Sequence, residues 1–194
     1  IMDSIELKDN LNNSFDGPLL ITQNIFNDLR GYFYETWNEE KFNHILNKKI
    51  SFVQDNQSFS KKGTLRGLHY QIHPKAQGKL VRTTIGEIFD VIVDLRIQSK
   101  TFTKWAGVKL SSANKKQLWV PPGFAHGFLT LSDEALVEYK VSDFWSKEHE
   151  RSLIWDDKEI DIDWPIKDGV PFLSDKDRNA PKLKVILEKG DYFL

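Results

Sequence analysis

Cysteine is missing altogether from these 194 residues. That excludes a disulfide framework, thiolate metal ligands and a cysteine nucleophile. It also fits a reducing compartment such as the cytoplasm. An excess of one charge is missing as well: 27 Lys and Arg stand against 28 Asp and Glu, a formal net charge of −1. Such a balance gives no electrostatic footprint for nucleic acid or for a membrane surface. No apolar run approaches the roughly 18 residues of a spanning helix. The opening "IMDSIELKDN" lacks the basic start and apolar core of a secretory leader. The expectation is a cytoplasmic protein with no nucleic-acid partner and no membrane partner.

What the chain has in quantity is aromatics, with six Trp, five Tyr and thirteen Phe. Most should fill a core. Some could line a pocket for a flat or sugar-like ligand. The length suits one domain over residues 1–194. A chain of this size buries about 70% of its unfolded surface, enough for a full core without staples. No repeat, low-complexity tract or linker divides it.

In the first half, "NEEKFNHILNKK" reads as a short surface helix. Asn38 can cap it, acids fill its first turn, and Phe42, Ile45 and Leu46 form an apolar stripe. From about residue 50 to 143, short runs rich in Val, Ile, Phe, Trp and Thr alternate with turn residues. "KLVRTTIGEIFDVIVDLR" reads as two strands broken at Gly86; "KWAGVKLS", "KQLWVP", "GFLTLS" and "ALVEYKVSDF" follow. Many short strands at such spacing predict an antiparallel sandwich or barrel. Alternation places Phe89, Val91, Val93 and Leu95 on one face and Ile88, Asp90, Ile92 and Asp94 on the other. Acids among isoleucines fit either an exposed sheet face or the polar interior of a ligand-holding barrel. The tail from residue 144, dense in Trp, Asp and Pro, reads as loops and short helical turns wrapping that barrel.

Five histidines are the first candidates for chemistry. His44 sits in the helix and His149 in a charged run, so both should be surface residues; His69, His73 and His126 remain. "PPGFAH" resembles the second half-motif of the cupin superfamily. The first half-motif, His-x-His with a glutamate, is not present in "GLHYQIHPKAQGK". A metal site must present its full ligand set, so the reading is metal-free. Without metal, His69 is a candidate general base, since an imidazole with its usual pKa near about 6.5 suits proton abstraction at neutral pH. From residue types alone, a structural role for His69 is the better reading.

Nine blocks widen the comparison: "RGYFYETWN", "FVQDNQS", "LRGLHYQ", "QGKLVR", "GEIFDVIVDLR", "KWAGVKLS", "QLWVPPGFAHGFL", "VEYK" and "LSDKD", in this order. Together they closely resemble the dTDP-4-dehydrorhamnose 3,5-epimerase family, metal-free enzymes of deoxysugar biosynthesis. The resemblance implies an all-β cupin-type jelly-roll barrel with a few short peripheral helices. It implies epimerisation at C3 and C5 of dTDP-4-dehydro-6-deoxy-D-glucose, with no cofactor. By the same resemblance His69 is the base, Tyr139 the acid on the opposite face, Asp177 the partner of the base, and Lys79 the cation near O4. Arg30, Phe33, Glu35, Gln54, Asn56, Arg66, His126, Trp145, Glu150 and Lys176 match ligand-contacting positions. Trp145 stands where the family usually has a tyrosine that stacks on thymine. Loss of that hydroxyl leaves open a single-site epimerase, or a keto-isomerase, on a related nucleotide 4-ketosugar. The resemblance further implies a homodimer in which N-terminal strands cross between subunits, expected near residues 50–58.

Overall fold

Alternating inward and outward residues organise the chain into two facing antiparallel sheets. The computed structural model describes residues 2–167 and 169–194. The strands are β1 (Met2–Lys8), β2 (Ser14–Gln23), β3 (Phe26–Asp28), β4 (Gly31–Phe33), β5 (Gln54–Lys61), β6 (Leu65–Gln71) and β7 (Lys79–Ile85). They continue with β8 (Glu87–Asp94), β9 (Trp105–Ser111), β10 (Gln117–Val120), β11 (Phe124–Thr130), β12 (Glu134–Val141) and β13 (Glu150–Ser152). Three short helices, α1 (Glu39–Leu46), α2 (Asp175–Arg178) and α3 (Leu183–Lys189), complete the described elements. One sheet has the order β1-β2-β10-β7-β12-β5 and the other β13-β6-β11-β8-β9, while β3 and β4 form a separate hairpin. This is a jelly-roll-like sandwich with a few peripheral helices.

Between the sheets lies a core that includes Val81, Leu118, Val137, Ile88, Ile92 and Phe128. The opposite face of β8 carries Val91 and Val93 into a second cluster, where Leu153, Ile160, Trp164, Leu183 and Ile186 of the tail cover the sheet. The two-faced pattern of "EIFDVIVDLR" therefore serves two cores, and the tail wraps the barrel as its composition suggests. Asp90 and Asp94 are both fully buried, which decides for the interior over an exposed sheet face. Asp94 is held by Arg96 and by the Thr101 hydroxyl.

On the far face of the larger sheet, α1 packs Phe42 against Ile21, Leu80 and Trp119. Asn38 caps the helix, its Oδ1 accepting from Lys41 N at 3.0 Å. The helix is thus a cover for the sheet rather than a simple surface element. Two readings need correction. The segment before residue 34 contributes four strands that its mixed composition did not announce. The strand placed at "GFLTLS" begins earlier, at Phe124, so His126 lies within β11. Within the segment expected to cross between subunits, Gln54–Lys61 form β5, an edge strand of the larger sheet paired with β12.

Candidate active site

Alternation alone would send Arg66 and His69, three residues apart on β6, to opposite faces. The structure sends both into one cavity of about 510 Å³. The cause is an irregularity in the β6–β11 register, where His126 pairs with His69 but Phe128 pairs with Arg66. Gly67 occupies the slip with φ +117°, and a Cβ there would lie 2.6 Å from Gly127 Cα. Two facing glycines therefore let the strands approach closely and re-aim β6, as bulges do.

His69 approaches from the smaller sheet. Its Nε2 lies 2.5 Å from Asp177 Oδ1. Ser174 caps α2: its Oγ accepts from Asp177 N at 3.1 Å and so fixes the carboxylate-bearing turn. Burial works against the Asp177 carboxylate, yet the hydrogen bond and charge of His69, with Ser174 and the Gly67 N–H, hold its pKa below the ordinary value. With Nε2 donating to Asp177, Nδ1 is left as the basic nitrogen.

Tyr139 approaches from the larger sheet. On β12, Ala135, Val137 and Tyr139 point inward against the central core. The cavity therefore lies between the imidazole and the phenol, and both line it. Burial raises the Tyr139 pKa, Arg66 opposes the rise and Glu150 adds to it, so the phenol keeps its proton. Lys79, inward on β7 and 8% exposed, lines the same space. Its Nζ donates to His69 O at 3.2 Å. Burial pushes its pKa down to about 8, with Asp90 and Glu150 pulling it up and Lys176 pushing it further down.

A smaller lobe of about 120 Å³ adjoins the first and shares His69, Lys79 and Tyr139 with it. Gln54, Asn56, Trp145 and Glu150 line this lobe. Gln54 Nε2 donates to Asn56 Oδ1 at 2.9 Å, and Trp145 N donates to Gln54 Oε1 at 3.1 Å. Glu150 is paired with Lys176 at 2.7 Å. Burial would raise the Glu150 pKa, but the Lys176 ammonium and the Trp145 side chain bring it below the ordinary value. Arg66 is braced by Ser60 Oγ at 2.8 Å and by Phe59 O at 2.9 Å.

The fold thus brings together His69, Asp177, Tyr139, Lys79, Arg66, His126, Gln54, Asn56, Trp145 and Glu150, with Lys176 reached through Glu150. It does not bring Arg30, Phe33 and Glu35 to this cavity. Arg30 is paired with Asp28 at 2.6 Å and Glu35 with Lys41 at 2.8 Å, both at the surface. Phe33 on β4 is 71% exposed. The physical reason is that the β3–β4 hairpin pairs only with itself and lies in neither sheet. Among the other histidines, His73 packs on the Phe193 ring and His44 is exposed. His149 is half-buried, its Nδ1 2.7 Å from Ser146 Oγ, and so is not the open surface residue expected.

Asp90 is a buried group to which the family resemblance assigns no role. Its Oδ1 lies 2.6 Å from His126 Nε2, forming a second imidazole–carboxylate dyad. The signal was an acid between two isoleucines on an inward face.

A base and an acid facing each other across a cavity, with a cation beside them, suit proton removal next to a carbonyl and return from the other face. Comparisons with known proteins agree. A family model described as dTDP-4-dehydrorhamnose 3,5-epimerase matches residues 12–185. A protein of that name from Shigella flexneri is 53% identical over 176 residues, covering 91% of this chain and 94% of its own length. One from Pseudomonas aeruginosa is 54% identical over 162 residues, covering 84% and 88% respectively. A crystal structure of dTDP-6-deoxy-D-glucose-3,5-epimerase from Legionella pneumophila, in complex with dTDP-4-keto-L-rhamnose, superposes with a TM-score of 0.91 at 42% identity, covering 100% of this chain and 98% of that one.

Proposed function

The chain belongs to the dTDP-4-dehydrorhamnose 3,5-epimerase family, and from that premise we infer how its own residues carry the reaction. The substrate is dTDP-4-dehydro-6-deoxy-D-glucose and the product dTDP-4-dehydro-L-rhamnose. The observation that carries the assignment of roles is the placement of His69 and Tyr139 on facing sheets with Lys79 in the space between.

The C3 and C5 hydrogens of a 4-ketosugar are acidic because both carbons adjoin the carbonyl. His69 Nδ1 takes one of these protons. The C–H electron pair becomes a C=C bond, and the carbonyl π electrons move to O4. Lys79 Nζ stabilises the resulting enolate oxygen, as oxyanion donors do. Tyr139 then delivers its phenolic proton to the same carbon from the opposite face, the C=O bond reforms, and the centre is inverted. Proton exchange with solvent returns the imidazole and the phenol to their starting states before the second carbon is processed. Asp177 holds the imidazole in the required tautomer and stabilises its charged form. No step calls for a cofactor. Gln54, Asn56 and Trp145 are suited to the nucleotide base, with the indole as a stacking platform. Arg66 is suited to the diphosphate.

Arg30, Phe33 and Glu35 enter the proposal through a homodimer. The exposed β3–β4 hairpin and the residues that follow it carry a cation, an acid and several aromatics, and a partner subunit's cavity is where Arg30, Phe33 and Glu35 would serve. Size measurement by light scattering tests this, with a monomer as the contrary result. A cytoplasmic location is the companion reading, supported by the cysteine-free composition.

Incubation with substrate in D2O, followed by NMR of the product, tests the reaction itself. Deuterium at both C3 and C5 of the L-rhamno product is expected. Deuterium confined to one carbon, with one centre inverted, would replace the assignment by a single-site epimerase, the reading that Trp145 in place of tyrosine keeps in view.

A further inference from the structure

The carboxylates around the cavity are not equivalent. Glu150 is paired with the Lys176 ammonium at 2.7 Å, while Asp177 and Asp90 each meet an imidazole, that of His69 and that of His126. Asp90 has no Lys or Arg partner within bonding distance among the described residues. It is 0% exposed, and its Oδ1 is bonded to His126. Its Oδ2 is buried with no hydrogen-bond partner among the described residues. A buried carboxylate is costly to desolvate unless both its hydrogen bonds and its charge are answered. The imidazole answers one hydrogen bond.

Lys79 stands on β7 of the larger sheet and Asp90 on β8 of the smaller, both pointing into the space between them. Lys79 Nζ is bonded only to His69 O among the described residues, which leaves donors free. His126 lines the cavity while Asp90 does not, so Asp90 sits behind the imidazole and away from any ligand. We propose that Asp90 is a positioning residue acting through Lys79: it supplies the counter-charge that keeps the ammonium protonated and aimed at the sugar's O4. This rests on the reading of Lys79 given above.

The other groups facing Lys79 support the assignment. Burial is the largest influence on its pKa and lowers it; Asp90 is the strongest of those raising it, ahead of Glu150, while Lys176 lowers it. Glu150 and Lys176 form one ion pair and largely cancel at a distance. Arg66, His69, His126, Tyr139 and Asp177 complete the titratable and charged neighbours lining the cavity.

The test reads Lys79 directly. The full-length chain is labelled with ¹³C at lysine Cε, and the Lys79 resonance is assigned by its loss in Lys79→Gln. Its titration is then followed in the wild type and in Asp90→Asn. The midpoint is expected to fall by about one pH unit in the variant, the usual effect of removing one nearby opposite charge. Asp90→Leu, matched to its neighbours Ile88 and Ile92, serves if the amide variant does not fold. An unmoved midpoint in a folded variant overturns the proposal. The pH profile of kcat separates this from the mechanism: if the midpoint moves and the alkaline limb of kcat does not follow, the coupling stands and the reading of Lys79 as the O4 cation fails.

Discussion

His69 Nε2 and Asp177 Oδ1 lie 2.5 Å apart, although 108 residues separate them in the chain. The bond fixes which imidazole nitrogen faces the cavity. Asp177→Asn should therefore lower kcat by about 10²-fold or more, within the range general-base catalysis supplies, and leave KM little changed. An asparagine can accept from Nε2–H but cannot stabilise the imidazolium. Steady-state kinetics checks this; a raised KM with unchanged kcat would make Asp177 a binding group.

Lys79 sets the alkaline side. Its pKa is pushed down to about 8 by burial, so kcat should decline as pH rises through about 8, where the ammonium is lost. Stability moves the other way. Between about 8 and the ordinary lysine value of 10.5 the folded state binds fewer protons at Lys79 than the unfolded chain does. The contribution of Lys79 to stability is thus least favourable below about 8 and improves through this window. Activity and melting temperature measured across the same buffers should diverge there.

Asp177 and Glu150 act on the acid side. Both have pKa values held below those of ordinary carboxylates by their partners. Their contribution is fully present above the unfolded values and is lost as pH falls through the folded ones. Thermal melts should show stability falling below about pH 4, and Asp177→Asn should flatten that fall.

The helix cap and the first core were visible in the residues themselves. Asn38 followed by two acids marked the start of α1, and Gly86 marked the break between β7 and β8, because each signal is local. The two faces of β8 were legible through strict alternation. The bulge at Gly67 was not, since it depends on Gly127 of another strand. Strands β1 and β2 were missed because their acids and serines, with Gly17 and Pro18 in β2, carry little strand preference; pairing of β1 with β2 and of β2 with β10 supplies what the residues lack. For the site, types and motif order pointed to His69, Tyr139, Lys79 and Asp177. Which carboxylate meets which imidazole could only come from the fold, and the Asp90–His126 dyad emerged there.

Phe42 is completely buried, packed edge-on against Trp119 with ring centroids 5.3 Å apart. Phe42→Ala should cost about 3–5 kcal/mol of stability. The lost packing lies on the far side of the sheet from the cavity, so kcat at low temperature should be retained. Denaturant melts and kinetics on one preparation check both halves.

Trp145 is 55% exposed at the rim of the smaller lobe. Trp145→Ala should weaken substrate binding by about 1–3 kcal/mol, the usual worth of base stacking on an aromatic ring. Trp145→Tyr should keep most of it. Calorimetric titration with thymidine diphosphate reads the difference without involving catalysis.

Hydrogen–deuterium exchange at C3 and C5 in His69→Ala and Tyr139→Phe, followed by NMR in D2O, puts the division of labour to its hardest test. Without the imidazole, both carbons should keep their hydrogen. Without the phenol, deuterium should still enter through His69 but with the original configuration retained, and no L-rhamno product should form. Wild-type exchange in His69→Ala, or inversion in Tyr139→Phe, would contradict the placement of base and acid on opposite sides of the sugar.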